Sequence, residues 1–217
     1  MRYHSVLFDL DGTLIDNSEG IMNGYKYALE KLGRAGEADV LPNDIIGPPL
    51  RLTFASRYGM DDAQAEEAVR IYREFFRPIG VYQSVAYPHV EDMLRRLQEA
   101  GVGIFLATSK AKVFAETILN HLGLIKYFDG VVGSELDGRM DNKRDIIEHI
   151  MSGMLKPGQT AVMAGDRYHD AKGAQEAGMD AIVALWGFSK AEEFAPYDNV
   201  VAMFQDAREM CDWLLGE

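Results

Sequence analysis

The sequence has a single cysteine, Cys211, among its 217 residues. One thiol excludes an intramolecular disulfide, so nothing in the chain implies an oxidising compartment. Cys211 lies in an apolar helical pattern near the C-terminus, which predicts a buried and unreactive side chain.

Long hydrophobic runs are also lacking. No segment approaches the roughly 20 apolar residues that a membrane-spanning helix needs. The N-terminus passes from Met1 and Arg2 directly into a short apolar strand, without the longer apolar stretch of a signal peptide. We therefore expect a cytoplasmic protein with no membrane partner.

Positive charge is scarce, since 22 lysines and arginines stand against 34 acidic residues and the formal net charge is −12. Nucleic acids and anionic membranes are bound through a basic face, so this charge argues against both as partners. A phosphorylated substrate would need local cations to overcome the negative field. We expect a monomer or a weak homodimer.

The hydrophobic content of 47% is enough for a full core. The apolar residues are arranged in two patterns that alternate along the chain. Helical patterns with apolar residues at i, i+3, i+4 and i+7 separate short apolar runs that end at small or acidic residues. This alternation predicts an α/β protein with a parallel sheet covered on both faces. The strand-like runs are 5–9, 102–107, 130–133, 161–165 and 181–185.

One long interval, from about residue 17 to residue 83, holds helical patterns and no strand-like run. It is too long for a plain connection between a strand and a helix. We therefore predict a core of residues 1–16 and 85–217 and an inserted α-helical domain of residues 17–84. The alternative is that these helices pack on the sheet as part of one domain.

The first candidate functional motif follows the first strand and contains Asp9, Asp11 and Gly12. Alternate residues of an extended segment point the same way, so both carboxylates can face one site. Mg²⁺ would relieve their repulsion and bridge to a substrate phosphate. Gly12 permits a sharp turn and can offer an amide to an anion. Acidic turns and calcium loops share this pattern, but its place after an apolar strand favours a functional site.

The second motif is Thr108 and Ser109 with Lys110, again directly after a predicted strand and before a predicted helix. Hydroxyl groups and backbone amides at a helix N-terminus bind phosphate readily. An ordinary helix cap is the alternative, because Ser and Thr are preferred there as well.

Lys143 is the third candidate, near the start of a predicted helix. A lysine there opposes the helix dipole, which favours cations at the opposite end, so a functional cause deserves consideration. The alternative is a solvated surface lysine.

The fourth motif contains Asp166, at the end of an apolar run, and Asp170 one helical turn later. This spacing can bring both carboxylates to one cation. Asp170 can equally complement a helix dipole, and the two roles are compatible. We expect His169 to be a surface residue and Arg167 to hold a carboxylate or the insertion rather than substrate. All four motifs follow predicted parallel strands, where open α/β sheets place their sites.

With these motifs the sequence resembles the haloacid dehalogenase superfamily over nearly its whole length, which implies a Rossmann-like core. The helical insertion is similar to the small α-helical cap of the phosphoglycolate phosphatase-like group. Further similarity to a branch of 5′-nucleotidase-like phosphatases is carried by Gly47-Pro48-Pro49-Leu50, Gly165-Asp166-Arg167 and His169-Asp170.

The resemblance implies a magnesium-dependent phosphatase that forms an aspartyl-phosphate, with a small phosphorylated metabolite as its partner. Asp9 would be the nucleophile and Asp11 the general acid and base, with Thr108 and Lys143 holding the phosphate. Asp9, the Asp11 backbone carbonyl and Asp166 would bind Mg²⁺, with Asp170 in support. Dehalogenases of the superfamily lack the second aspartate, so Asp11 argues against dehalogenation.

Two other functions share this core. A sugar phosphomutase of the β-phosphoglucomutase type would return the phosphoryl group to a sugar. A regulator without catalysis would keep the fold for binding only, which the intact set of motif residues makes an unattractive interpretation. For substrate selection we predict the cap loop Gly47 to Leu50 with Arg51, although a structural turn explains the loop equally well.

Overall fold

The computed structural model describes residues 1–42 and 45–217. These residues form two compact units, one of residues 1–16 and 86–217 and the other of residues 17–85. Two short strands, β2 (Ile15–Asp16) and β3 (Val85–Ala86), form a separate two-stranded sheet. None of the helices in the described ranges combines the length and apolar character needed to cross a membrane.

The first unit is built on a six-stranded sheet in which every pairing is parallel. The strand order is β5-β4-β1-β6-β7-β8. Its strands are β1 (Ser5–Phe8), β4 (Gly103–Ala111), β5 (Gly130–Ser134), β6 (Ala161–Gly165), β7 (Asp180–Ala184) and β8 (Val200–Phe204). Its helices are α5 (Val90–Glu99), α6 (Lys112–His121), α7 (Lys143–Gly153), α8 (Tyr168–Glu176) and α9 (Ala207–Leu215).

The core of this unit lies on both faces of the sheet. Leu7 and Met163 pack in one cluster with Ile146 and Ile147 of α7. The alternate residue Phe8 is fully buried as well. Burial on both faces explains why the central strands read as continuous apolar runs. The predicted α/β fold with a parallel sheet is therefore confirmed.

The central strand β1 places the candidate motifs side by side. Phe8, its last residue, lies opposite Leu106 of β4 and Ala164 of β6. In parallel strands the carboxyl ends meet at one edge, so the residues after β1, β4 and β6 share that edge. This register brings Asp9 next to the end of β6.

Two features of the sheet differ from the prediction. The apolar run at 200–204 is a sixth strand, which the sequence analysis missed because an edge strand with exposed Val201 and Met203 lacks a continuous buried run. In addition, β4 extends to Ala111 through an irregularity in its pairing with β5. Thr108 and Ser109 therefore lie within the strand, so the prediction that they directly follow it is wrong. Helix α6 does begin after them, at Lys112.

The second unit is helical in its described residues. It contains α1 (Ser18–Lys31), α2 (Ala35–Ala38), α3 (Leu50–Tyr58), α4 (Asp62–Phe76) and a 3₁₀ turn at Gly80–Tyr82. An aromatic cluster forms its centre, where the ring of Tyr25 lies 5.0 Å from that of Phe54 and 5.3 Å from that of Tyr72. Gly24 is required for this packing, because a Cβ there would lie 2.5 Å from the Tyr72 ring.

Candidate active site

Asp9 directly follows β1 and remains tied to the sheet. Its backbone N–H donates to the carbonyl of Ala164 at 2.8 Å, which continues the pairing with β6. Only 9% of the residue is exposed. The strand thus holds this carboxylate at a fixed position at the edge of the sheet.

Gly12 turns the chain back immediately after the two acids. It has a φ of +81°, and its N–H donates to the Ile15 carbonyl at 2.8 Å. A Cβ at this position would overlap the carboxylate of Asp166. Glycine is therefore needed here for the left-handed backbone and for the close approach of Asp166.

Lys143 begins α7 and is buried, with 6% of its side chain exposed. Its ammonium lies 3.0 Å from Asp9 Oδ1 and 2.8 Å from Asp170 Oδ1, and it donates to the Ala107 carbonyl at 2.8 Å. Burial alone lowers the pKa of Lys143, but Asp170 and Asp9 together raise it above its usual value. The alternative of a solvated surface lysine is therefore wrong.

Three carboxylates converge at this edge of the sheet. Asp9, Asp166 and Asp170 each offer an oxygen, and these atoms lie within 4.8 Å of one another. Burial and the neighbouring charge of Asp170 raise the pKa of Asp166 well above its usual value. Burial raises the pKa of Asp170 to about 6, although Lys143 opposes this shift.

The cluster fits a divalent cation. Carboxylate oxygens are hard ligands of the kind that Mg²⁺ and Ca²⁺ prefer. When all three buried acids are ionised, the one positive charge of Lys143 cannot neutralise them, so a cation would stabilise the cluster. Close approach of the acids depends on glycine, since a Cβ at Gly165 would overlap Asp170. The Asp11 carboxylate is not in this cluster, and its predicted contribution is through the backbone carbonyl.

Asp11 pairs with a lysine of its own. Lys110 Nζ lies 3.0 Å from Asp11 Oδ2, and the two side chains are 8% and 13% exposed. Burial raises the pKa of Asp11 above its usual value, and Lys110 counters part of that shift. The sequence analysis assigned no role to Lys110, although its place two residues after Thr108 was a signal available there.

The two predicted hydroxyl residues differ in exposure. Thr108 is buried, with 1% exposed, and its Oγ1 accepts a hydrogen bond from the backbone N–H of Lys110 at 3.2 Å. Ser109 is half-buried. Both lie in the last part of β4, beside the end of β1, so they share the edge that holds Asp9.

The start of α8 positions Asp170. The backbone N–H of Arg167 donates to Asp170 Oδ2 at 3.0 Å, so this acid also serves the helix N-terminus. His169 is half-buried, its ring centroid lies 3.9 Å from that of Tyr168, and burial lowers its pKa to about 4. A neutral imidazole is expected at pH 7.

A segment that the sequence analysis did not single out also reaches the site. The backbone N–H of Phe188, beyond the end of β7, donates to Asp166 Oδ2 at 2.8 Å. Its only available signal was its position after a strand of the sheet, because an amide donor needs no particular side chain.

Arg51, the predicted substrate residue of the cap, belongs to the unit of residues 17–85. It lies on α3 with 57% of its side chain exposed. Its guanidinium is 3.3 Å from Asp62 and 3.7 Å from Glu66, both on α4. A contact between Arg51 and substrate stays a prediction.

Comparison with known protein families identifies the family of this chain. Residues 6–184 match the family described as haloacid dehalogenase-like hydrolase. The chain belongs to this family. The matched residues span β1 to β7 and include all four motifs of the core.

Individual proteins are similar over most of the chain. A 5′-nucleotidase from Pseudomonas aeruginosa is 39% identical over 194 residues, which are 89% of this chain and 87% of that protein. Tyrosine-protein kinase PtkA from Mycobacterium tuberculosis is 35% identical over 86% of this chain, which spans 64% of PtkA. The crystal structure of a predicted phosphatase from Clostridium acetobutylicum is 34% identical, with a TM-score of 0.90 and full coverage of both chains. The family, fold class and phosphatase-type hydrolase predicted from the sequence are confirmed.

Proposed function

We propose that this haloacid dehalogenase-like hydrolase is a magnesium-dependent phosphatase of the cytoplasm that hydrolyses a small phosphomonoester through an aspartyl-phosphate on Asp9. A nucleoside monophosphate is the first substrate class to test, because the similar Pseudomonas aeruginosa protein is named a 5′-nucleotidase. Phosphoglycolate is the second, on the resemblance of the helical insertion.

One observation carries this proposal. Asp9 lies at the carboxyl end of the central strand, 3.0 Å from a buried lysine and within 4.8 Å of two further carboxylates. The lysine, together with a cation held by the three acids, would reduce the repulsion between Asp9 and a phosphate dianion. The arrangement suits nucleophilic attack on phosphorus.

In the first step, an oxygen of Asp9 attacks the phosphorus in line with the ester oxygen. The new bond joins Asp9 to phosphorus, and the bond from phosphorus to the ester oxygen breaks. Asp11, whose raised pKa favours the protonated form, gives its proton to the leaving oxygen. Lys143 and Thr108 hold the phosphate oxygens.

In the second step, water attacks the same phosphorus and gives its proton to Asp11. The bond between Asp9 and phosphorus breaks, which releases inorganic phosphate and restores both carboxyl groups. Mg²⁺, when held by Asp9, Asp166, Asp170 and the Asp11 carbonyl, supplies charge neutralisation of the phosphoryl group.

Release of inorganic phosphate tests the reaction. We expect the protein to release phosphate from p-nitrophenyl phosphate, and acid quenching with a ³²P-labelled substrate to leave label on wild-type protein. A requirement for a bisphosphate activator without phosphate release would select the phosphomutase alternative. Absence of any turnover would instead select a binding function.

Metal replacement tests the choice of magnesium. Treatment with EDTA should abolish turnover, and Mg²⁺ but not Ca²⁺ should restore it. Ca²⁺ accepts bidentate carboxylates and would occupy the attacking oxygen of Asp9, whereas octahedral Mg²⁺ leaves it free. Full activity in Ca²⁺ alone would contradict this proposal for the metal.

A substrate screen tests the partner. Nucleoside monophosphates, phosphoglycolate, sugar phosphates and phosphotyrosine should be compared by kcat/KM. We expect the kcat/KM for one small phosphomonoester to exceed that for p-nitrophenyl phosphate.

A further inference from the structure

Residues 186–188, which follow β7, contact the residues of the site through two hydrogen bonds and one close packing contact. The indole N–H of Trp186 donates to the Thr13 carbonyl at 2.9 Å. The backbone N–H of Phe188 donates to Asp166 Oδ2 at 2.8 Å. Between them, Gly187 lies so close to Asp166 that a Cβ would be 2.5 Å from its carboxylate oxygen. All three residues thus contact either Asp166 or the loop that carries Asp9 and Asp11.

The donors to Asp166 are neutral. Asp9 and Asp170 share the ammonium of Lys143, whereas Asp166 receives the Phe188 amide, with the Thr13 hydroxyl 3.4 Å from its Oδ1. A neutral donor orients a carboxylate and leaves its negative charge in place for a cation. Each oxygen of Asp166 keeps a lone pair after accepting one hydrogen bond.

Gly187 also approaches the other side of the site. Its missing Cβ would overlap the Gly12 carbonyl as well as Asp166. Gly187 has no left-handed φ, so glycine is required here by the close approach of two neighbours and not by its backbone conformation. The segment is therefore packed between Asp166 and the loop that carries Asp9 and Asp11.

We infer that Trp186, Gly187 and Phe188 are positioning residues. They fix Asp166 relative to the loop that carries Asp9 and Asp11, so that these residues can bind one divalent cation. This inference rests on the proposed function for the identity of the cation. Residues that orient metal ligands by hydrogen bonds change metal affinity by about 10- to 100-fold when altered. A change in this segment should therefore weaken metal binding without removing a ligand.

Isothermal titration of the metal-free protein with Mg²⁺ alone tests the inference without any turnover. We expect Gly187→Ala to weaken Mg²⁺ binding by about 10- to 100-fold. Trp186→Phe, which keeps an aromatic ring but removes the N–H donor, should weaken it by a smaller factor. The matched control is Gly153→Ala, the same substitution at an exposed position of α7 where a Cβ would meet no atom within 4 Å. It should bind Mg²⁺ as the wild type does.

Circular dichroism and Tm establish which variants are folded. A folded Gly187→Ala that binds Mg²⁺ within twofold of wild type would overturn the inference. If Gly187→Ala does not fold, unchanged binding by Trp186→Phe would overturn it. A wild-type protein that binds no divalent cation would overturn this inference together with the metal of the proposed function. If the wild type binds Mg²⁺ and the folded variants bind it with the same affinity, this inference alone would be overturned.

Discussion

Asp9 and Asp11 are two residues apart in sequence, yet they form ion pairs with different lysines. Asp9 shares Lys143 with Asp170, and it lies in the cluster that fits a cation. Asp11 pairs with Lys110 outside that cluster, and burial raises its pKa. These surroundings suit a charged nucleophile at the first position and a proton donor at the second.

Replacing Asp9 with Asn tests the nucleophile. The amide keeps the shape of the side chain but removes the attacking charge, so Asp9→Asn should lose essentially all turnover and all trapped ³²P label. Far-ultraviolet circular dichroism should match wild type. Substantial retained turnover would contradict the assignment.

Replacing Asp11 with Asn tests the proton donor through its dependence on the leaving group. For an alkyl phosphate, kcat/KM should fall by roughly a hundredfold or more, because the alkoxide needs a proton as it departs. For p-nitrophenyl phosphate the fall should be smaller, since that leaving group is stable as an anion. Equal losses on both substrates would argue against proton transfer from Asp11 in the first step.

Element boundaries in this fold depend on what each strand lies against. The continuous apolar runs of β1, β6 and β7 are buried between helices, whereas β8 is an edge strand whose alternate residues are exposed. The length of β4 depends on its pairing with β5, which continues to Ala111 past an irregularity. Pairing of this kind involves residues that are distant in sequence.

Helix α4 begins with a capping box, and the effect of removing this capping box on stability can be predicted. Asp61 accepts from the Gln64 N–H at 2.9 Å, and Gln64 Oε1 accepts from the Asp61 N–H at 3.0 Å. Asp61→Ala should lower the free energy of unfolding by about 1 kcal/mol, whereas Asp61→Asn keeps an acceptor and should cost much less. Urea denaturation measures both. Equal stability of the Ala variant and wild type would show that this capping box contributes nothing.

Over the whole molecule, the acidic site should make stability depend on pH and metal. The pKa of Asp170 is about 6 in the folded protein, above the value of about 4 expected when unfolded. The folded state then binds the proton of Asp170 more tightly, so the contribution of Asp170 to the stability of the metal-free protein should fall as pH rises from about 4 to about 6.

Thermal unfolding from pH 4 to pH 8 measures this effect. Added Mg²⁺ should raise the Tm more at pH 7 than at pH 5, because the ionised acids bind the cation and the protonated ones do not. Asp170→Asn removes one of the titrating groups and should flatten the metal-free profile. Metal-free protein that gained stability over this interval relative to Asp170→Asn would contradict the prediction.

Substrate selection is the second whole-molecule property, and Arg51 is its predicted determinant. Arg51→Ala should reduce kcat/KM for the preferred substrate far more than for p-nitrophenyl phosphate, which offers the cap little to hold. Because Arg51 also pairs with Asp62 and Glu66, the variant's Tm should be measured beside it. Equal losses on both substrates would indicate damage elsewhere, and no loss on either would remove Arg51 from substrate selection.

The fold class and the functional residues at the strand ends are predictable from the sequence alone. Hydrophobic periodicity encodes buried strands and helices locally, and the acids Asp9, Asp11, Asp166 and Asp170 stand directly beside those runs. Lys143 was marked by its place at a helix start. Side-chain chemistry at a strand end is a local signal, and it can be read without the fold.

The contacts that those residues make depend on the tertiary structure. Phe188 is 22 residues from Asp166, and Trp186 is 173 residues from Thr13. They meet because β6 pairs with β7 and β1 pairs with β6. A backbone amide and a missing Cβ carry no chemical signature in sequence, since any residue supplies the first and glycine serves many turns. Their role exists only where the sheet brings distant segments into contact.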